Sequence, residues 1–182
     1  MNIGRKISWL LFCLVNLCSA EITFEINKSE HKIKLMDDGK TLKEYSCALG
    51  KGGGGKKEKM GDNRTPVGVY RIVSISIQSG FHVFLHLSYP NQADIENGRS
   101  KGLINDTTFK VMQADIENGR LPSQKTVLGG NVGIHGIKNG LGWLGGLQSS
   151  IDWTQGCIAV TNDQIEDISK SIKVGTKVTI LP

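Results

Sequence analysis

The sequence predicts a mainly β fold with a few helices, and three observations carry that prediction. Short runs alternate apolar and polar residues with a period of two, the spacing of a strand with one buried face. Glycine is frequent, at 23 of 182 residues, without a three-residue repeat, which suits a turn-rich globular domain and excludes collagen. Only one segment carries a complete set of helix signals. With 6% aromatic residues, the core must be largely aliphatic.

Taken in order, the first strand is Ile22, Phe24 and Ile26 alternating with Thr23, Glu25 and Asn27. Ile33 and Leu35 repeat the pattern before an Asp38-Gly39 turn, and Tyr45 to Leu49 forms a third strand candidate. Val69 to Ile77 and Phe81 to Leu87 flank Ser79-Gly80 and read as a hairpin of longer strands. Val132 to His135, Cys157 to Val160 and Lys177 to Leu181 complete the set. The marked helix has Ile165, Ile168 and Ile172 at helical spacing, a Thr161–Gln164 capping box and Gly175 beyond its end. A second helix is expected to start near Ala93, after Tyr89-Pro90-Asn91.

Residues 1–20 stand apart. Arg5 and Lys6 precede an apolar run from Ile7 to Cys18, and Cys18-Ser19-Ala20 supplies small residues ahead of Glu21. This is the layout of a secretory signal peptide cleaved after Ala20; the run is too short for a membrane anchor of about 20 apolar residues. The expected organisation is therefore a leader over 1–20 and one domain over 21–182, exported to the periplasm or cell wall, with no membrane span after cleavage. Removing Arg5 and Lys6 leaves 20 basic against 17 acidic residues, too mild an excess to indicate nucleic acid. Cys13 and Cys18 leave with the leader, so a disulfide-dense scaffold is excluded, while Cys47 and Cys157 could pair or one could be a working thiol.

Several patterns resolve to bland readings. Gly50 to Lys56 fits the start of a phosphate-binding loop, but Lys57 stands where Ser or Thr is needed and Pro66 follows instead of a helix. It is expected to be a flexible basic glycine loop. His82 and His86 share a strand face without further metal ligands, so no metal site is expected. The octapeptide Gln-Ala-Asp-Ile-Glu-Asn-Gly-Arg occurs at 92–99 and again at 113–120; it reads as a local duplication in a surface segment rather than a doubled recognition helix.

The chemistry concentrates between Gly129 and Asn162. A thiol is a strong nucleophile only as thiolate and needs a partner for its proton. His135 is the only histidine after residue 86, and Gly156 beside Cys157 would let a substrate carbonyl approach and leave backbone N–H groups free to face an oxyanion. On chemistry alone, a nucleophile–base pair and a buried cysteine beside a core histidine fit equally well.

Three blocks in order resemble the L,D-transpeptidase (YkuD-type) catalytic domain. These are Gly61-Asp62-Asn63-Arg64-Thr65-Pro66-Val67-Gly68-Val69-Tyr70, then Leu87-Ser88-Tyr89-Pro90-Asn91, then His135-Gly136 followed by Thr154-Gln155-Gly156-Cys157. The resemblance implies a β-sandwich with a catalytic groove, acting without a cofactor on peptidoglycan stem peptides. It makes Cys157 the nucleophile, His135 the base and Gly136 the residue whose carbonyl orients that histidine. Thr154, Gln155 and Gly156 would shape the acyl and oxyanion pocket, and a thiolate–imidazolium pair is expected. Cys47 would be a bystander. Two positions depart from the pattern: Gln155 replaces a usual histidine, and Ala159 replaces a usual basic residue. The acyl group could pass to an amine, cross-linking the wall or attaching a wall-linked protein, or to water. A non-catalytic wall-binding domain would need neither Cys157 nor His135.

Overall fold

The computed structural model describes residues 21–138, 140 and 151–182. The expected leader over 1–20 and most of the glycine-rich interval after Lys138 lie outside these residues. Eight strands run in the order β3-β2-β1-β8-β4-β5-β6-β7. They are β1 (Ile22–Asn27), β2 (Lys32–Asp37), β3 (Lys40–Ser46), β4 (Gly68–Ser79), β5 (His82–Leu87), β6 (Gly133–His135), β7 (Ile158–Ala159) and β8 (Lys177–Leu181). Three helices, α1 (Gln92–Ser100), α2 (Asp106–Glu117) and α3 (Asn162–Lys170), complete the described elements.

Strand β4 joins the two halves of the series. Its first residues, Gly68 to Arg71, pair antiparallel with β8, and Ile72 onward pairs with β5. The sheet therefore curls, and its two halves share one aliphatic core. Phe24, Ile26, Ile33 and Leu35 enter that core from one half, Leu85, Leu87, Ile134 and Ile158 from the other. Alternation along each strand produces this burial. In β1, Phe24 and Ile26 are at most 1% exposed, while Thr23 and Glu25 face outward.

The third strand lies earlier than the sequence suggests. The apolar run Tyr45 to Leu49 reads as a strand, yet β3 is Lys40–Ser46, a mostly exposed edge paired with β2 across the Asp38-Gly39 turn. Cys47, Ala48 and Leu49 are apolar because they cross the core, where Ala48 bridges Ala159 next to the other end of the sheet. A tertiary crossing and a strand leave the same mark in composition.

Helix α3 has the expected capping box and buries Ile165 and Ile168, while Ile172 falls just beyond it and packs on the core. It is tied to both halves: Asp167 accepts from Lys43 and Tyr45, and Glu166 pairs with His82. Helices α1 and α2 build a second small core of Ile95, Ile104, Phe109, Met112 and Leu128. The repeated octapeptide occupies different structural positions in them. Its first copy is nearly all of α1, capped by Asn91, with Asp94, Ile95 and Gly98 buried. Its second copy ends α2 and turns out through Gly119 at φ +69°. Identical residues thus start one helix and finish another, because capping and packing decide the outcome.

Candidate active site

Parallel pairing of β6 and β7 aligns Ile134 with Ile158 and His135 with Ala159. Period-two alternation then sends Ile134 and Ile158 into the core and turns His135 and Cys157 to the other face. Both line a groove of about 880 Å3, together with Thr154, Gln155, Trp153, Phe81, Phe84, Asn131, Lys51, Lys57 and Lys138. Three sequence-predicted residues not on the groove wall support it. Gly136 holds His135, Gly156 shapes the turn before Cys157, and Ala159 is buried in the sheet, exchanging both backbone hydrogen bonds with Ala48.

His135 is held tightly. Its Nδ1 lies 2.6 Å from the Gly136 carbonyl, which can only accept, so Nδ1 carries the hydrogen and Nε2 of the neutral ring is left as the basic nitrogen. Its cross-strand partner Phe84 stacks on it at 5.7 Å, Phe81 packs at 4.6 Å, and Trp153 meets it edge-on at 5.8 Å. Burial in this aromatic cage lowers the imidazole below its usual 6.5, against the opposing pull of the Gly136 hydrogen bond.

Cys157 is half-buried, and its Sγ donates to the Asn131 carbonyl at 3.5 Å. Burial pushes the thiol up, while a Gly133 backbone hydrogen bond and the Lys57 charge pull it down. Burial thus works against both charged forms of the expected thiolate–imidazolium pair. Cys47 is fully buried, and burial, with Asp152 adding, pushes its thiol up to about 12. Both cysteines are free.

The turn before Cys157 is built around one hydroxyl. Thr154 Oγ1 donates to the Cys157 carbonyl at 2.7 Å and accepts from the Gly156 N–H at 3.1 Å. Of the backbone N–H groups around the nucleophile expected to face an oxyanion, that of Gly156 is committed to Thr154. Gly156 has φ +125°, and a Cβ there would stand 2.8 Å from the Arg64 carbonyl, so only glycine fits. Gln155 is exposed and lines the groove.

Sequence reasoning missed several supporting residues. Gln124 accepts from the Asn131 N–H at 2.7 Å and so fixes the carbonyl that meets Cys157. Thr65, inside the matched Gly61–Tyr70 block, accepts from the Gly50 N–H at 2.9 Å. The glycine loop expected to be flexible is instead clamped. A Cβ on Gly50 or Gly52 would collide with the Asn63 or Asp62 carbonyl, Lys28 donates to the Gly55 carbonyl, and Lys56 pairs with buried Asp94 at 3.1 Å. Close backbone packing accounts for Gly50 and Gly52, and positive φ for Gly53 and Gly55.

Among the described residues no group of three His, Cys, Asp or Glu side chains could hold a metal ion, and no helix is long and apolar enough to cross a membrane. His82 pairs with Glu166 at 2.6 Å, and His86 is half-buried beneath the Phe84 ring edge at 6.0 Å.

The family model for the L,D-transpeptidase catalytic domain (YkuD) matches residues 21–180. Solved structures share the fold at low identity. Bdellovibrio bacteriovorus Bd1075 superposes with TM-score 0.53 at 20% identity, covering 89% of this chain and 48% of that one. The L,D-transpeptidase (residues 123-326) of Xylanimonas cellulosilytica gives 0.52 at 14% identity, covering 89% and 61%. The helical cell shape determining protein Pgp2 of Campylobacter jejuni gives 0.55 at 20% identity, covering 88% and 50%. The chain thus spans about half to three-fifths of these structures. No curated protein matches the sequence significantly.

Proposed function

The chain belongs to the L,D-transpeptidase (YkuD) catalytic domain family, whose enzymes act on peptidoglycan peptides, and we propose that it opens and transfers stem-peptide bonds through a thioester on Cys157. The observation that carries this reading is that Cys157 shares its groove with a histidine whose Nδ1–H is committed to Gly136, leaving Nε2 as the basic nitrogen.

In this mechanism the Cys157 thiol gives its proton to His135 Nε2 as sulfur bonds to the carbonyl carbon of the third stem residue. The carbonyl π pair moves onto oxygen. When that oxyanion collapses, the C–N bond to the terminal D-residue breaks, and His135 returns the proton to the leaving amine. An acceptor amine or water then attacks the thioester, its proton passing through His135 to the departing sulfur. The aromatic cage suits this role, since burial lowers the imidazole and favours its neutral, proton-accepting form.

Water as acceptor is the second reading, an L,D-carboxypeptidase on the same thiol. Ala159 favours it: this buried residue cannot offer the charge-assisted bonds by which a cation would hold a peptide carboxylate. We place the reaction in the periplasm or cell wall, after removal of residues 1–20. The test is incubation of the purified protein with muropeptides, with and without an acceptor amine, followed by mass spectrometry. Tripeptide stems support the hydrolytic reading, and 3–3 cross-linked dimers support the transfer reading. No product under either condition, from folded protein, overturns both.

A further inference from the structure

Three lysines line the groove and, among the described residues, no carboxylate does. Lys51 and Lys138 are exposed at its edge, whereas Lys57 is 4% exposed. Its Nζ donates to Asp62 Oδ1 at 2.8 Å and to the Lys59 carbonyl at 3.0 Å, and lies 6.0 Å from the Tyr89 ring centroid. The same Nζ stands 3.8 Å from the point a Cβ on Gly156 would occupy, immediately beside Cys157. An ammonium has three donors, and these two oxygens take two of them.

A cation buried at this place calls for a reason. Asp62 does not depend on Lys57 for its hydrogen bonds, because it also accepts from the backbone of Glu58, Lys59 and Arg64. Burial works to raise the Asp62 carboxyl, but Lys57 and those three N–H groups outweigh it and hold it at about 2. The reaction at Cys157, by contrast, creates negative charge on sulfur and then on the attacked oxygen, in a groove where the Gly156 N–H is already spent on Thr154. The charged and titratable groups around the thiol are His135, the two exposed lysines, and Lys57 with its counterion Asp62. Of the cations, only Lys57 is fixed by burial.

We propose that Lys57 is the resident cation of this active site, stabilising the negative charge that develops on the Cys157 sulfur and on the carbonyl oxygen under attack. The proposal rests on Cys157 being the nucleophile. Its field opposes the burial that raises the thiol, and a preorganised charge in a poorly solvated groove acts most strongly where charge appears during reaction.

The test measures Cys157 alkylation by iodoacetamide against pH in the purified protein, with adducts located by peptide mass. Lys57→Met should lower the rate at neutral pH about tenfold, a rise of about one unit in the thiol pKa, and Lys57→Arg should restore it to within about twofold. Asp62→Asn removes the counterion and should move the thiol the other way, toward higher reactivity. An ion pair that merely braces the loop would disturb the thiol in the same direction in both Lys57→Met and Asp62→Asn, and that result overturns the proposal. So does a folded Lys57→Met protein with wild-type alkylation. If Lys57→Met does not fold, the direction of Asp62→Asn still decides. Stem-peptide turnover surviving in Cys157→Ala would sink the thioester reading while leaving these alkylation shifts intact, so the two failures are distinguishable.

Discussion

Replacing Thr154 by Val isolates what one hydroxyl does for the nucleophile turn. Valine keeps the side-chain shape, so no cavity opens, but both bonds are lost, to the Cys157 carbonyl at 2.7 Å and from the Gly156 N–H at 3.1 Å. Thr154 is 4% exposed, which keeps water from replacing them. The Cys157 carbonyl retains only the Thr65 hydroxyl at 3.5 Å, and the Gly156 N–H loses its acceptor. An orphaned buried donor costs about 1–3 kcal/mol and a weakened acceptor about 1 kcal/mol more, together about 2–4 kcal/mol. For a domain of this size that lowers Tm by roughly 5–15 °C. A shift of about 1 Å in the turn would also cost about 10²-fold in turnover. Thr154→Ser keeps the hydroxyl and should melt within a few degrees of wild type. Thermal melts by circular dichroism, paired with turnover of stem peptides, read both effects. A Thr154→Val protein with unchanged Tm and unchanged turnover would refute the role given to this hydroxyl.

Gly156→Ala forces a side chain onto φ +125° and within 2.8 Å of the Arg64 carbonyl; it should cost more than about 3 kcal/mol and abolish turnover, as a melt and an activity assay would show. A functional, wild-type-stable Gly156→Ala would contradict the described turn. The kcat/KM profile should fall on its acid side below pH 6.5, where burial-lowered His135 protonates and can no longer take the thiol proton. Folding stability should follow the same sign: His135 and His86 bind protons more weakly folded than unfolded, so their contribution is complete above 6.5 and declines as pH falls below it. A stability maximum near pH 5 would contradict this. His135→Ala should cost about 10²- to 10⁴-fold in rate, the range for a general base, and Gln155→Ala far less, because Gln155 is exposed and the base is His135. Equal losses in the two variants would point to a misassigned base.

Much of this fold could be read directly because strand alternation is a local signal. Phe24 and Ile26, or Leu85 and Leu87, declare their buried face within a few residues. What escaped the sequence was set by distant contacts. Cys47 to Leu49 prolongs the strand-like pattern beyond β3 because it crosses the core, and α2 is hidden because its octapeptide reads as a local duplication in a surface segment. At the site, His135, Gly136 and the Thr154–Cys157 run are legible as a motif, and the fold brings His135, Thr154, Gln155 and Cys157 to one groove. The burial of the base was not legible: it follows from the Phe81, Phe84 and Trp153 cage around His135, whose members are scattered along the chain. In the sequence Lys57 marks only a departure from a phosphate-loop pattern, since its proximity to Gly156 depends on the glycine loop folding back on residues 62–64.

The most direct test of the thioester account is intact-mass analysis of the protein after brief exposure to a carbapenem, whose strained carbonyl traps an acylating thiol. The account predicts one adduct, mapped to Cys157, absent in Cys157→Ala and present in Cys47→Ala, whose deletion removes only a fully buried thiol. An adduct on another residue, or none on wild-type protein shown to be active in the same buffer, would contradict it.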